Sequence, residues 1–230
     1  MLSDRELHKL AIEEELIAPY NPEYCEEATI NLTLDPLVKQ YSSDEPIVLG
    51  KEVNDDEHYD KIDLTSDEFS IPPKGSVLIQ THEFIKVPNN MTARIYERFG
   101  VQSLGLMISP GHYMNPGYRG KISLVAFNTN SVPFRLVPGI KICQMGLFEL
   151  NTDPLKPYEK QDARYMDSTD VSISKLHLDQ EIQEFLKEKG IAKVSDEMAG
   201  DLGKHLMSHI KLAAKDLAEL AMEKLDKGKI

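Results

Sequence analysis

From Phe69 to Leu150 the sequence is a series of short β-prone runs, each cut off by proline, glycine or asparagine. The runs are Ser76–Gln80, Phe84–Val87, Thr92–Tyr96, Gly105–Ile108, Lys121–Asn128, Phe134–Val137 and Ile140–Leu150. Between them stand Pro88-Asn89-Asn90, Pro110-Gly111, Asn115-Pro116-Gly117 and Pro138-Gly139, with Pro72-Pro73 ahead of the first. Proline fixes φ and removes a backbone donor, and glycine supplies the turn conformations, so this punctuation ends strands and leaves no room for long helices. Regularly spaced short strands of this kind specify an all-β barrel or sandwich core.

The flanking segments read differently. Asp4–Ile17 is predicted as an amphipathic helix, with Leu7, Leu10, Ala11 and Ile17 at helical spacing and Ser3 or Asp4 as its cap. Pro19, Asn21 and Pro22 then break the chain, and Ala28–Leu34 alternates apolar and polar residues like a half-buried strand. Residues 42–60 are acidic and polar, the texture of an exposed loop or hairpin excursion. Beyond about residue 176 the chain turns helical, with a short helix over Asp179–Lys189 ended by Gly190. Ser195 caps a longer helix on which Leu202, Leu206, Ile210, Ala213, Leu217 and Leu220 are spaced 4, 4, 3, 4, 3. Two readings of that seam stand side by side: packing on the chain's own β core, or packing on its counterpart in another subunit.

A chain of 230 residues suits one domain plus an extension, and it buries a core without disulfides or metals. The expected division is a β domain over 1–176 and a helical extension over 177–230. Cys25 and Cys143 lack metal-ligand spacing and read as reduced thiols, which fits a cytoplasmic protein. No signal-like opening and no apolar run of membrane-spanning length is expected. A net charge of −12 argues against broad nucleic-acid binding but leaves room for a phosphate ligand held by a few local cations.

Glu97-Arg98-Phe99-Gly100-Val101-Gln102-Ser103-Leu104-Gly105-Leu106 lies between two strands. It resembles the second motif of dCTP deaminases and dUTPases, approximately Gly-Arg-Ser-Ser-Leu-Ala-Arg-Leu-Gly-Leu in the deaminases. Asn115-Pro116-Gly117-Tyr118-Arg119-Gly120 resembles their Asp-Pro-Gly-(Trp/Phe)-x-Gly turn, and Asn128-Thr129-Asn130, Pro138-Gly139 and Ile142-Cys143-Gln144-Met145 follow in family order. Leu2–Leu7 is similar to the deaminase opening, and Asp162-Ala163-Arg164-Tyr165 with Ser172-Ile173-Ser174 is similar to its tail. Residues 2–176 thus resemble the dCTP deaminase/dUTPase superfamily from end to end. The resemblance implies a mainly β fold, a distorted β-barrel or jelly-roll core with an N-terminal helix and a C-terminal helical extension. It further implies a homotrimer with sites between subunits, closed by the C-terminal segment, that binds a deoxynucleoside triphosphate (dCTP or dUTP) with Mg²⁺.

By that alignment the residues of the chemistry are missing. Deamination in the family moves protons through a glutamate, and its position is Val125; no carboxylate lies between Gly120 and Asn130. The motif's serine is Phe99, the arginine four residues later is Ser103, and the aspartate of the third motif is Asn115, an amide that hydrogen-bonds but is no base. Binding equipment remains: the expected nucleotide contacts are Arg98, Gly100, Gln102, Asn115, Tyr118, Arg164 and Tyr165. Arg98 has the alternative of pairing with an acid such as Glu97, and Tyr118 of plain packing. An arginine at 164 in place of the tail's lysine grips phosphate in a fork. The tail glutamine that reads the base falls near Ser168.

No metal site is expected: His82 and His112 have no partner at metal-ligand spacing, and His205 and His209, four apart, lack an accompanying acid. The sequence therefore points to a nucleotide-binding homotrimer of deoxypyrimidine metabolism with degenerate catalytic motifs, sensing or sequestering dCTP, dUTP or another nucleotide. One alternative is an active dCTP deaminase or dUTP diphosphatase using other acids. Another is a non-enzymatic trimeric scaffold with a partner-binding helical tail.

Overall fold

The computed structural model describes residues 1–109 and 112–191. The proposed long helix after Ser195, its heptad seam, and His205 and His209 lie outside the described residues. The α-helices among the described residues are α1 (Asp4–Glu13), α2 (Asp55–His58), α3 (Phe99–Gln102) and α4 (Gln180–Glu188). The strands are β1 (Ile17–Ala18), β2 (Cys25–Glu26), β3 (Thr29–Thr33), β4 (Leu37–Tyr41), β5 (Tyr59–Asp63), β6 (Ser70–Ile71) and β7 (Ser76–Lys86). They continue as β8 (Met91–Glu97), β9 (Leu106–Ile108), β10 (Tyr113–Met114), β11 (Arg119–Asn128), β12 (Phe134–Arg135) and β13 (Lys141–Glu149).

One sheet runs β5-β4-β7-β11-β9 with β1 added to β7, a second runs β10-β8-β13-β3-β2, and β12 pairs with β6. Residues of both large sheets meet in a single apolar core, among them Val77 and Ile79 of β7, Ala93 and Ile95 of β8, Leu124 and Ala126 of β11, and Met145 and Leu147 of β13. Each such side chain contributes about 1.5–3 kcal/mol of apolar burial. The mainly β fold and the N-terminal helix are as expected, but the sheets do not close into a barrel. Among the described residues they meet through the isolated antiparallel bridge of Leu34, just after β3, with Thr81 of β7, and no ladder joins their edge strands.

Local differences have local causes. Helix α1 opens with Glu6 accepting from the Ser3 nitrogen and buries Leu7 and Ala11, but it stops at Glu13 rather than Ile17. Glu15 turns the chain at φ 52°, and Ile17 leaves the helical face to pair with Ile85. The two predicted runs Ser76–Gln80 and Phe84–Val87 fuse into the single strand β7, since Thr81 to Glu83 continue it across a register shift opposite β11. Strand β3 is buried on both faces, not half-buried, because its polar residues find partners: Thr33 donates to Glu83 through both its backbone nitrogen and its hydroxyl, at 2.9 and 2.7 Å.

The described chain divides into two compact units, Met1–Pro46 with Val53–Ser174, and a second that joins Ile47–Glu52 to the segment beginning at Lys175. In the second, Asp179 caps α4 by accepting from the Glu181 nitrogen at 3.1 Å, and Gln183 donates to the Gly50 carbonyl at 2.9 Å. Gly190 follows α4 at φ 66°, the left-handed stop that the sequence signals.

Candidate functional site

Strand β11 builds the site by alternation. Gly120, Ile122, Leu124, Ala126 and Asn128 turn into the core, so Lys121, Ser123, Val125 and Phe127 share the opposite face. At its start the Asn115–Tyr118 turn hands the chain into the strand, with the Tyr118 nitrogen donating to the Asn115 carbonyl at 3.0 Å. A cavity of about 410 Å³ opens here, lined by His112, Tyr113, Met114, Asn115, Tyr118, Lys121 and Ser123. Its remaining wall comes from Tyr158, Tyr165, Ser172, Ile173 and Ser174.

That second wall is the segment after β13, which belongs to the same unit and is tied to the rest of it at several points. Asp167 grips Arg119 through both oxygens at 2.5 and 2.9 Å, and the Lys121 nitrogen donates to the Ser168 carbonyl at 2.8 Å. The Ser172 nitrogen donates to the Ser123 hydroxyl oxygen at 2.8 Å. Buried Lys39 holds the same segment by donating to the Val171 carbonyl at 2.6 Å and pairing with Asp170 at 3.1 Å and Asp55 at 2.8 Å. Burial would raise the Asp55 carboxyl, but the hydrogen bonds from Lys39 and Lys61 outweigh it and hold the group below its ordinary range.

Lys121 is fixed from below. Its ammonium lies 2.5 Å from Asp35, a carboxylate that is 2% exposed and also accepts from the Leu37 nitrogen at 3.0 Å and from Gln80 at 3.1 Å. Burial opposes ionisation of Asp35, and the donors from Lys121, Leu37 and Gln80 overcome it, so the carboxyl titrates below its usual value. Tyr118 packs against the core and near Tyr158, with ring centroids 6.0 Å apart, and its hydroxyl donates to the Lys121 carbonyl at 2.9 Å. Burial, with Tyr158 adding to it, pushes that phenol well above its ordinary range, so it stays protonated.

The cavity brings together Asn115, Tyr118 and Tyr165 of the residues expected from the sequence. Tyr118 both packs and lines the site, so its two readings coexist. Arg164 is adjacent to Tyr165 but pairs with Asp162 at 2.9 Å and is not part of the lining. Arg98, Gly100 and Gln102 are not among its lining residues: Arg98 hydrogen-bonds Asn31 rather than Glu97, and Gln102 donates to Glu97 at 3.1 Å. Phe99 stands 81% exposed on the same turn, and Ser103 donates back to the Gly100 carbonyl at 3.3 Å. Val125 is 43% exposed, one alternation beyond Ser123 on the same face.

Lining residues that the sequence reading did not assign to the site include Tyr113, Met114, Lys121, Ser123 and Tyr158; Ser172, Ile173 and Ser174 were matched to the tail motif without a binding role. The strand's own period held the signal for two of them, since Lys121 and Ser123 share a face with the singled-out Val125. His112, read from the sequence as a surface or packed histidine rather than a metal ligand, is part of the wall. The lining contains no carboxylate, and among the described residues no group of three or more His, Cys, Asp or Glu side chains could hold a metal ion. No helix among those residues is long and apolar enough to cross a membrane.

Comparison with known proteins agrees with this architecture. A family model described as dCTP deaminase-like matches residues 1–150. The "dCTP deaminase, dUMP-forming" of Nanoarchaeum equitans is 29% identical over 78% of this chain and 98% of its own length. Its counterpart from Aquifex aeolicus is 30% identical over 80% of this chain and 98% of its own. Among solved structures, the 2'-deoxycytidine 5'-triphosphate deaminase of Agrobacterium tumefaciens superimposes with a TM-score of 0.50 at 14% identity, over 64% of this chain and 47% of that one, a likeness of fold. The chain belongs to the dCTP deaminase-like family.

Proposed function

We propose that this protein is a nucleotide-binding homotrimer of deoxypyrimidine nucleotide metabolism that has lost deamination and serves to sense or sequester its ligand. The observation that carries the reading is the cavity wall itself: four tyrosines, a histidine, an asparagine, three serines and a lysine among apolar residues, without a carboxylate. Water attack on a cytosine ring needs a group that takes a proton and returns it to the leaving amine. Asp35, the acid that holds Lys121, has its oxygens committed to Lys121, Leu37 and Gln80. Val125, where the resemblance places the glutamate, offers only methyl groups.

The trimer is supported by the distribution of residues. Arg98, Gly100 and Gln102 sit outside the cavity of their own chain, so a neighbouring copy would have to present them to it. Phe99, Leu104, Met107 and Phe127 expose apolar surface on α3, the turn after it and the paired strands β9 and β11, a composition suited to burial between copies. Mg²⁺ would arrive on the triphosphate, held by phosphate oxygens rather than by the cavity's own side chains. A thermal-shift series with dCTP, dUTP and other nucleotides in the presence of Mg²⁺, with chromatography of the recovered ligand, tests the reading. Stabilisation with intact ligand supports it; no shift with any nucleotide, or turnover to a uracil product, refutes it.

A further inference from the structure

A second cavity, of about 290 Å³, opens where the two large sheets approach each other, and its wall holds a buried acid. Glu83 of β7 is 4% exposed and lines it. Thr33 of β3, in the other sheet, donates to this carboxylate twice, from its backbone nitrogen at 2.9 Å and from its hydroxyl at 2.7 Å. Two carboxylate oxygens offer about four acceptor positions, so about half of them remain. Both donors are neutral, and no Lys, Arg or His among the described residues pairs with Glu83. The neighbouring cations are held elsewhere. Arg98 hydrogen-bonds Asn31, and Lys141 lies 4.3 Å from the Tyr24 ring centroid and 3.8 Å from Glu26. His82 stands 3.6 Å from Asp35. Among the described residues Glu83 is the one Lys, Arg, Asp or Glu side chain in this wall.

The rest of the wall is largely apolar. Ile17, Pro19 and Ile30 line it, with the rings of Tyr20 and Tyr24. Ile17 pairs with Ile85 on β7, the strand that carries Glu83, and the Tyr20 hydroxyl hydrogen-bonds His8 of α1, so this side of the cavity is anchored at both ends. A carboxylate taken out of water without a cation beside it is costly, and a charged donor bonds it about twice as strongly as a neutral one. A bare metal ion finds too few ligands, since among the described residues no three His, Cys, Asp or Glu side chains come together. An anionic ligand has the wrong sign. We propose that this cavity binds a small primary ammonium ion, its head on Glu83 and its short alkyl stem against Ile17, Pro19 and Ile30. The two cavities share no lining residue, so this site stands apart from the one beside β11 and does not depend on the nucleotide reading.

Isothermal titration of the full chain with n-butylammonium chloride and with 1-butanol, at an ionic strength held constant with sodium chloride, tests the proposal. The two probes share a stem and differ in charge. The ammonium should bind at least about tenfold more tightly than the alcohol, the worth of one hydrogen bond between charged groups. Glu83→Gln keeps the side chain's size and removes its charge, and should weaken the ammonium at least about tenfold while leaving the alcohol unchanged. If that variant does not fold, a crystal structure of the wild type with n-butylammonium decides the location. Its nitrogen within hydrogen-bond distance of Glu83 supports the site, and the ion elsewhere or absent overturns it. Equal affinities for the two probes, no binding of the ammonium, or binding that Glu83→Gln does not weaken would also overturn it.

Discussion

The backbones of Gly120 and Ser168 run side by side as a parallel bridge, so close that a side-chain carbon at position 120 would lie 3.1 Å from the Ser168 nitrogen. Gly120 also holds φ 147°, a conformation that other residues rarely adopt. Together these facts make the cavity a product of two distant segments, since the strand that carries Lys121 and Ser123 and the tail that carries Tyr165 and Ser172 join at this bridge.

Gly120→Ala should therefore loosen the tail. The added methyl meets Ser168 and the Tyr118 hydroxyl, and the strained backbone costs about 1–3 kcal/mol. Chemical denaturation should show the loss of stability, and limited proteolysis should cut the 158–174 segment faster than in the wild type.

Lys39→Met should weaken the same attachment from the other side. It removes the donor to the Val171 carbonyl and leaves Asp55 and Asp170 without their shared cation. Both acids are partly solvated, so the expected loss is about 1–3 kcal/mol rather than the larger penalty of a fully buried orphan charge. Hydrogen exchange should show reduced protection in residues 168–172, and unchanged protection there would contradict the latch.

Stability should fall in acid, through Asp35 and Asp55. Both carboxyls titrate below their ordinary value in the folded chain. A depressed folded pKa contributes stability that is fully present above the unfolded value, about 3.9, and is lost as pH falls through the folded one. Denaturant midpoints should hold steady above about pH 5 and decline below about pH 4. Asp35→Asn should flatten part of that decline.

The strand order of these contacts was beyond the reach of the sequence pattern. Punctuation from Phe69 onward is local, so the runs were legible and their boundaries fell within a few residues. Pairing is not local: Ile17 fits a helical face by spacing, yet its pairing with Ile85 on β7 outweighs that weak preference. Asn115, Tyr118 and Tyr165 were legible because turns and tails carry motif. Lys121 and Ser123 were hidden in a strand read for its apolar residues, and their role appears only when the tail folds over them. The attachment of that tail through Asp167 and Ser168 involves partners about fifty positions away, as in the Arg119–Asp167 pair.

Val125→Glu should fold, because position 125 is 43% exposed. It should not by itself create a deaminase, because Phe99 and Ser103 also stand where the family's motif has serine and arginine. A new carboxylate one alternation from Ser123 should instead weaken an anionic nucleotide by a few-fold, read by titration alongside an assay for uracil products. Appearance of deamination in that single variant would show that the rest of the machinery is in place.

The most direct test of nucleotide binding without catalysis is equilibrium dialysis of the wild-type chain against dUTP and, separately, dCTP with Mg²⁺, followed by chromatography of what each compartment holds. The predicted result is at least one of the two nucleotides retained in excess on the protein side and both recovered intact. Conversion of dCTP to a uracil nucleotide, release of dUMP from dUTP, or no retention of either would contradict it.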